Sequence, residues 1–272
     1  MRKQSYVPVG SVRSLLALAA AVTLSQTGLG QTLVSANFAG YADGQLVGQN
    51  SWLQYAATDA RPLTLSGGAV TWAGGNTTDG QDAVLLFDSQ ISQPISGAAI
   101  LHYDLQLKIS NAGANPSYFA ALNGLASTVT SGNFQNARLV AKSFEDGFQF
   151  GTRVNGQGGY PFTYGVSKLS YNTSYALRAE IYMIAGNAND YIHLFVGPDF
   201  ENLSLYASAF YGSGTVTDPT YGGMLISQFG SASTQEAGVS ISSMSVTLVP
   251  EPSSAALLGL AALCFGVTRR RQ

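Results

Sequence analysis

Imidazole and thiol groups, which bind transition metals well, are scarce in this sequence. It contains two histidines, His102 and His193, and one cysteine, Cys264. With no cysteine close to them, a structural zinc site would need both histidines to converge with carboxylates. His102 alternates with apolar residues, so we interpret it as a solvated side chain on the polar face of a strand. The sequence does not predict a zinc site.

Carboxylates are not paired in the way that glycosidases need. Side chains on one face of a strand alternate, so the adjacent Glu145 and Asp146 would point to opposite faces. Arg178 and Glu180 are interpreted as a surface ion pair. No nucleophile elbow, phosphate-binding loop or dinucleotide fingerprint stands out. We predict that the protein is not an enzyme, and an unrecognised polysaccharide hydrolase is the less favoured alternative.

Oxygen ligands for calcium are clustered in the glycine-rich segment 74–82. Asn76, Asp79 and Asp82 carry the amide and carboxylate oxygens that Ca²⁺ prefers. Asn, Asp and Gly also favour turns, and turn formation alone is the preferred explanation. These three residues are the calcium candidates, and no other cofactor is expected.

Aromatic residues gather in a second glycine-rich segment and just after it, at Tyr160, Phe162, Tyr164, Tyr171 and Tyr175. Exposed rings can stack on the apolar faces of sugars. The preferred alternative is that these rings cover the end of a hydrophobic core. Tyr160, Phe162 and Tyr164 are the sugar-stacking candidates.

Strands are the elements expected to position these groups. Residues 100–109 and 175–183 alternate between apolar and polar side chains, which indicates strands with one wet face. In residues 239–248 the alternation changes phase at Ser242 and Ser243, which predicts a β-bulge. The other predicted strands are 32–38, 69–73, 82–87, 117–122, 137–142, 147–154, 190–196, 204–210 and 222–228.

A dozen strands and no convincing amphipathic helix in residues 31–249 predict an all-β fold. We expect two antiparallel sheets packed as a jelly-roll sandwich, with Trp52 and Trp72 in its core or at its rim. This region holds seven cations and fourteen acids, a net charge of −7, which argues against nucleic acid as a partner. The predicted β-sandwich domain is 31–248.

Residues 1–30 are predicted to be a signal peptide. Basic residues precede an apolar stretch, 15–24, which is too short to span a bilayer, and small residues precede an expected signal peptidase cleavage after Gly30. An uncleaved anchor is the less favoured alternative.

Two segments carry a resemblance to a fold family. Residues 37–52 resemble the start of concanavalin A-like (laminin G-like) jelly rolls of exported bacterial proteins. Residues 175–197, a long strand, a turn and a second strand, resemble a later part of the same fold. The resemblance implies a fold, and a fold does not fix a function.

The C-terminal residues 249–272 form a separate unit in the sequence. Val249-Pro250-Glu251-Pro252 is predicted to be a stiff, extended, non-sheet segment, because proline fixes φ and lacks an amide donor. A short transmembrane helix is predicted at about 254–268. The basic tail Arg269-Arg270-Arg271 is expected to stay in the cytoplasm.

This order of elements closely resembles the PEP-CTERM sorting signal of Gram-negative bacteria. The resemblance implies that an exosortase recognises the tail, cleaves near the motif, and acts on a chain held briefly in the inner membrane. The family is associated with exopolysaccharide, biofilms and the cell surface.

These observations predict an exported cell-surface or matrix protein, non-enzymatic and associated with exopolysaccharide. The alternative is a lectin-like carbohydrate-binding module, assisted or not by calcium.

Overall fold

The computed structural model describes residues 30–57, 61–75, 80–91, 99–125, 135–154, 161–184, 186, 189–210, 219–228 and 234–250. The predicted signal peptide up to residue 29, the transmembrane helix at about 254–268 and the basic tail lie outside these residues. Within them, no helix is both long enough and apolar enough to cross a membrane.

The larger of two antiparallel sheets has nine strands. Eight of them follow one another in the order β14-β13-β12-β7-β16-β5-β4-β2, and β1 pairs with β16. Its strands are β1 (Gln31–Asn37), β2 (Gly44–Gln45), β4 (Thr64–Ser66), β5 (Ala69–Trp72), β7 (Ala99–Asn111), β12 (Ser174–Met183), β13 (Tyr191–Gly197), β14 (Ser204–Phe210) and β16 (Gly238–Pro250).

The smaller sheet has seven strands in the order β11-β10-β9-β8-β15-β6-β3. A 3₁₀ turn at Phe38–Gly40 follows β1 of the other sheet. The seven strands are β3 (Leu53–Ala57), β6 (Gln81–Ile91), β8 (Tyr118–Asn123), β9 (Gln135–Phe144), β10 (Gly147–Arg153), β11 (Thr163–Tyr164) and β15 (Tyr221–Ser227).

One hydrophobic core holds the two sheets together. Alternate residues of the facing strands enter it, such as Leu101, Tyr103 and Leu105 of β7, all fully buried. Strands distant in sequence pair in the middle of each sheet, β7 with β16 and β15 with β6. The chain therefore passes repeatedly between the sheets, as in a jelly roll, and the predicted all-β, two-sheet antiparallel fold is confirmed.

All twelve predicted strands are present, with ends displaced by a few residues. The alternation did not reveal β2, β4 and β11, which have only two or three residues, or β3. Trp52 is fully buried and Trp72 nearly so, which confirms their predicted place. The predicted bulge is also present, because the pairing of β16 with β7 shifts between Ile241 and Ser243.

The end of β16 differs from the prediction. Val249 and Pro250 were expected outside the sheet, but they pair with Ile100 and Ala99 of β7. The reason is that a proline at the end of a strand loses only its own donated hydrogen bond, which the last residue of a ladder can spare. The first half of the Val-Pro-Glu-Pro motif therefore belongs to the sheet, and Glu251 and Pro252 lie outside the described residues.

Candidate functional site

The outer face of the seven-stranded sheet, away from the core, carries rings and cations side by side. On β9, Leu139 and Ala141 enter the core, so Arg138 and Lys142 point outward. On β10, the core residues Phe148 and Phe150 leave Arg153 on the outer face. We call this surface the aromatic–cation face, and its residues are Tyr118, Arg138, Lys142, Arg153, Phe162 and Tyr164.

Each cation of this face lies over an aromatic ring. The distance from the cation to the ring centroid is 4.6 Å for Arg138 and Tyr118, and 4.8 Å for Arg153 and Phe162. The ammonium of Lys142 lies 5.1 Å from the ring centroid of Tyr164. These distances are within the range of cation–π attraction. The face can therefore offer apolar rings and hydrogen-bond donors to one ligand.

Two arginines of this face are direct neighbours across the sheet. Arg138 of β9 and Arg153 of β10 are paired in register. Burial, with the charge of Arg138 as a second cause, lowers the pKa of Arg153, and burial lowers the pKa of Arg138. Like charges directly opposite each other on one face are destabilising, so this pair costs folding free energy.

Asp82 lies on the same sheet face and is 4% exposed. Its Oδ1 accepts a hydrogen bond from the backbone N–H of Gln228, at 3.1 Å. Burial raises the pKa of Asp82 to about 7. The hydrogen bonds from the Ser227 hydroxyl and from that N–H lower the pKa, and the charge of Glu236 raises it by a smaller amount. At neutral pH Asp82 therefore carries only part of a negative charge.

Tyr118 couples this carboxyl group to the arginines. Burial and then the charge of Asp82 raise the pKa of Tyr118, while Arg138 lowers it. The phenol is therefore a neutral hydrogen-bond donor or acceptor at physiological pH. Asp82, Tyr118 and Arg138 form one electrostatically connected group.

Asp82 is the one calcium candidate that the structure describes, and its surroundings do not support calcium binding. Its carboxyl group is occupied by a backbone donor, and a raised pKa disfavours the ionised form that a calcium ligand needs. Asn76 and Asp79 lie outside the described residues. Among the residues that the structure describes, no three His, Cys, Asp or Glu side chains are grouped to hold a metal. Calcium binding stays a prediction.

The five aromatic residues of the second glycine-rich region divide into two groups. Tyr171 stacks on Phe148, with centroids 5.4 Å apart, and Tyr175 packs edge-on against the same ring. These two tyrosines therefore cover the hydrophobic core, which is the alternative that the sequence analysis preferred. Phe162 and Tyr164 instead belong to the aromatic–cation face, and Tyr160 lies outside the described residues.

The outer face of the nine-stranded sheet brings both histidines to one carboxylate. Glu180 of β12 is in register with His102 of β7 and His193 of β13. The His102 Nε2 lies 3.5 Å from Glu180 Oε1. His102 is thus half-buried beside a carboxylate rather than simply solvated, because its neighbouring strand carries Glu180 opposite it.

The predicted ion pair between Arg178 and Glu180 is wrong. Arg178 makes two hydrogen bonds to Asp104, at 2.8 and 2.9 Å. Asp104 is the residue directly opposite Arg178 on β7, whereas Glu180 is one row further along the same strand. Cross-strand neighbours are closer than residues two apart on one strand, and register cannot be deduced from one strand alone.

Aromatic rings on this second face are stacked on each other. Tyr182 and Tyr191 lie 4.3 Å apart with an interplanar angle of 14°, and Phe210 follows at 5.8 Å from Tyr191. In this row each ring packs against another aromatic ring of the same sheet. This row is therefore better suited to stabilise the sheet than to bind a ligand.

The end of the chain matches a known sorting signal. Residues 248–271 match the family model of the PEP-CTERM protein-sorting motif. The C-terminal tail is a PEP-CTERM sorting motif. A PEP-CTERM motif implies export and membrane-associated processing by an exosortase, and this confirms the identity predicted for Val249-Pro250-Glu251-Pro252 and the following residues. No curated protein sequence matches the chain.

Three solved structures that are similar to this chain over most of its length share little sequence with it. The CBM2 module of an evolved Dit from Lactobacillus casei BL23 phage J-1 is 10% identical, with a TM-score of 0.48 over 82% of this chain and 98% of that one. The Emp47p carbohydrate recognition domain is 7% identical, with a TM-score of 0.46 over 81% and 96%. Endo-1,3-beta-glucanase from Streptomyces sioyaensis is 12% identical, with a TM-score of 0.45 over 91% and 100%. These similarities are too distant to assign a ligand or a reaction.

Proposed function

We propose that this protein is a non-enzymatic cell-surface or matrix protein that associates with exopolysaccharide through its aromatic–cation face. The observation that carries the proposal is the set of three cation–ring pairs on neighbouring strands. A sugar ring has apolar faces and a hydroxyl rim, so rings next to hydrogen-bond donors suit both parts of it.

Two carboxyl groups near this face, among the residues that the structure describes, support a non-enzymatic role. Asp82 is 4% exposed and Glu236 is 3% exposed, so neither is open to a substrate. Glu236 is also held at 2.7 Å by Arg61. Glycoside hydrolysis needs two carboxyl groups on either side of an accessible bond. If the wild type releases reducing ends from a polysaccharide and Asp82→Asn does not, this part of the proposal is contradicted.

Removing the two outer rings is expected to weaken polysaccharide binding. The double variant Phe162→Ala/Tyr164→Ala should lose at least about tenfold in affinity, since about 1.4 kcal/mol of contact energy corresponds to a factor of ten. Affinity electrophoresis through gels containing purified polysaccharides, both neutral and acidic, measures the effect. Running the gels with calcium and with a chelator tests the calcium prediction for Asn76, Asp79 and Asp82 at the same time.

The matched control removes apolar area of similar size from the other sheet. Leu205 and Phe210 are 58% and 68% exposed on β14, so Leu205→Ala/Phe210→Ala should leave retardation unchanged. Equal retardation of both double variants, or no retardation of the wild type by any polysaccharide in the panel, would overturn the proposed site.

A further inference from the structure

We infer that a pocket on the outer face of the nine-stranded sheet binds one neutral sugar unit. The pocket has a volume of about 360 Å³, at the lower end of the range for small-molecule sites. It lies on the opposite side of the sandwich from the aromatic–cation face, so the inference goes beyond the proposed function and does not rest on it. We call it the β1–β12 pocket, and its lining includes Ser35, Asp104, Arg178, Phe200 and Ser245.

A polar row that crosses four strands forms one side of the β1–β12 pocket. Ser35 of β1 is opposite Ser245 of β16. Ser245 is opposite Asp104 of β7, and Asp104 is opposite Arg178 of β12. Residues directly opposite each other on neighbouring strands share a face of the sheet, and the strands are about 4.8 Å apart. The row therefore places two hydroxyl groups, a carboxylate and a guanidinium side by side.

The hydrogen-bonding capacity of this row suits the hydroxyl groups of a sugar. Arg178 donates from Nε and Nη2 to the two carboxylate oxygens of Asp104, at 2.8 and 2.9 Å. These bonds use two of the five guanidinium N–H groups and two of about four lone-pair sites of the carboxylate. The remaining donors and acceptors can serve a ligand, together with serine hydroxyls that both donate and accept. Neighbouring sugar hydroxyls also donate and accept, so the row is complementary to them.

Phe200 gives the β1–β12 pocket an apolar wall. Its ring centroid lies 5.8 Å from the guanidinium carbon of Arg178. The ring is carried by the turn between β13 and β14, in which Asp199 Oδ1 accepts hydrogen bonds from the backbone N–H groups of Glu201 and Asn202, at 3.0 and 2.9 Å. A ring held in place beside polar groups suits the apolar face of a sugar, as in other carbohydrate sites.

The charges of the pocket favour a neutral ligand. Arg178 and Asp104 compensate each other, and their side chains are only 25% and 16% exposed. The carboxylate of a uronic acid would have to compete with Asp104 for Arg178, and like charges placed together are unfavourable. The negative charge of Glu180 also acts on Arg178 and adds to this penalty for an anion. A neutral hexose meets no such penalty.

The test measures the binding of methyl glucoside, methyl galactoside and methyl mannoside to the purified full chain, each beside its uronic acid, by saturation-transfer NMR. We expect at least one hexoside to bind, and to bind at least about threefold more tightly than its uronic acid. Phe200→Ala should weaken that hexoside at least about fivefold, because the apolar wall is lost. The matched control Phe210→Ala removes a ring that is 68% exposed on the same sheet, and should leave binding unchanged.

Asp104→Asn should change which ligand the pocket prefers. The amide has the shape of the carboxylate without its charge, so Arg178 becomes the uncompensated cation of the pocket. The uronic acid should then bind more tightly than the hexoside, a reversal of the wild-type preference, because the guanidinium matches a carboxylate. A pair that only joined β7 to β12 would weaken folding on mutation and would not exchange one ligand for another.

Each outcome has a distinct meaning. Binding of none of the three hexosides, or equal binding in the wild type and Phe200→Ala, overturns the inference. Loss of binding in Phe162→Ala/Tyr164→Ala instead places the sugar at the aromatic–cation face, which overturns the inference and supports the proposed function. A preference unchanged in folded Asp104→Asn contradicts the role given to the ion pair. If Asp104→Asn does not fold, the comparison of Phe200→Ala with Phe210→Ala still decides whether the pocket binds the sugar.

Discussion

Asp82→Asn is expected to stabilise the protein at pH 8 by up to about 4 kcal/mol. The pKa of Asp82 rises from 3.8 to about 7 on folding, and each unit is worth about 1.4 kcal/mol. The protonated acid is the form that the folded protein favours. Its stabilising contribution is complete below pH 3.8, and it is lost as the pH rises through 7. An amide stays neutral throughout and can still accept the hydrogen bond from Gln228.

The gain from Asp82→Asn should be largest at pH 8 and shrink towards pH 4. Urea unfolding at both pH values measures it, and the thermal midpoint at pH 8 should rise by roughly 10 °C for a domain of this size. Glu236, Tyr118 and Ser227 face the carboxyl group and are unchanged in the variant. Asp88→Asn, at an exposed position on β6, is the matched control and should have little effect.

A loss of stability in Asp82→Asn at pH 8 would contradict the raised pKa. It would mean that the folded protein uses the ionised carboxylate. Adding millimolar Ca²⁺ then tests whether the ionised carboxylate binds calcium. If Ca²⁺ raises the thermal midpoint of the wild type and not that of Asp82→Asn, the carboxylate is a calcium ligand.

Replacing Pro250, Glu251 and Pro252 together with alanine should abolish processing of the C-terminus in the native host. The wild-type chain is expected to lose its tail, whereas the variant should keep Gln272 and accumulate in the membrane fraction. The reason is that a PEP-CTERM motif implies recognition by an exosortase, while the apolar stretch 254–268 behind it is predicted to hold any uncut chain in the membrane. Intact-mass spectrometry of the purified protein locates both ends.

Ser253→Ala/Ser254→Ala is the control for this experiment, since it changes neighbouring residues and keeps the motif. Its processing should match that of the wild type. A wild-type protein still ending at Gln272 would show that the tail is a permanent anchor in this chain and is not cut.

The strands could be predicted because the alternation of apolar and polar residues is local information. Residues 100–109 needed no knowledge of their partners to be identified as a strand, and β7 confirms them. Which side chains pair across two strands depends on residues that are distant in the sequence. From the sequence we predicted an ion pair between Arg178 and Glu180. The register of β12 with β7 instead places Arg178 opposite Asp104 and Glu180 opposite His102.

The candidate site could be predicted only in part, for the same reason. Phe162 and Tyr164 were found because they are close together in sequence. Arg138 and Arg153 are fifteen positions apart, and only the pairing of β9 with β10 makes them neighbours. Within strand β9, Arg138 lies between two apolar residues, which indicates that it faces away from the core. Nothing in that strand indicates that Arg153 lies opposite it.

The position of β16 has a consequence for the timing of export. This strand lies inside the nine-stranded sheet, paired with β7 and with β5 and β1 on its other side. A chain that crosses the membrane from its N-terminus delivers β16 last, so until then β7 and β1 lack their shared partner and the sheet cannot close. The sorting motif begins within β16 itself, at Val249. Closure of the sheet and arrival of the cleavage signal are therefore one event, and a chain halted earlier in translocation would be both unsorted and exposed to proteases.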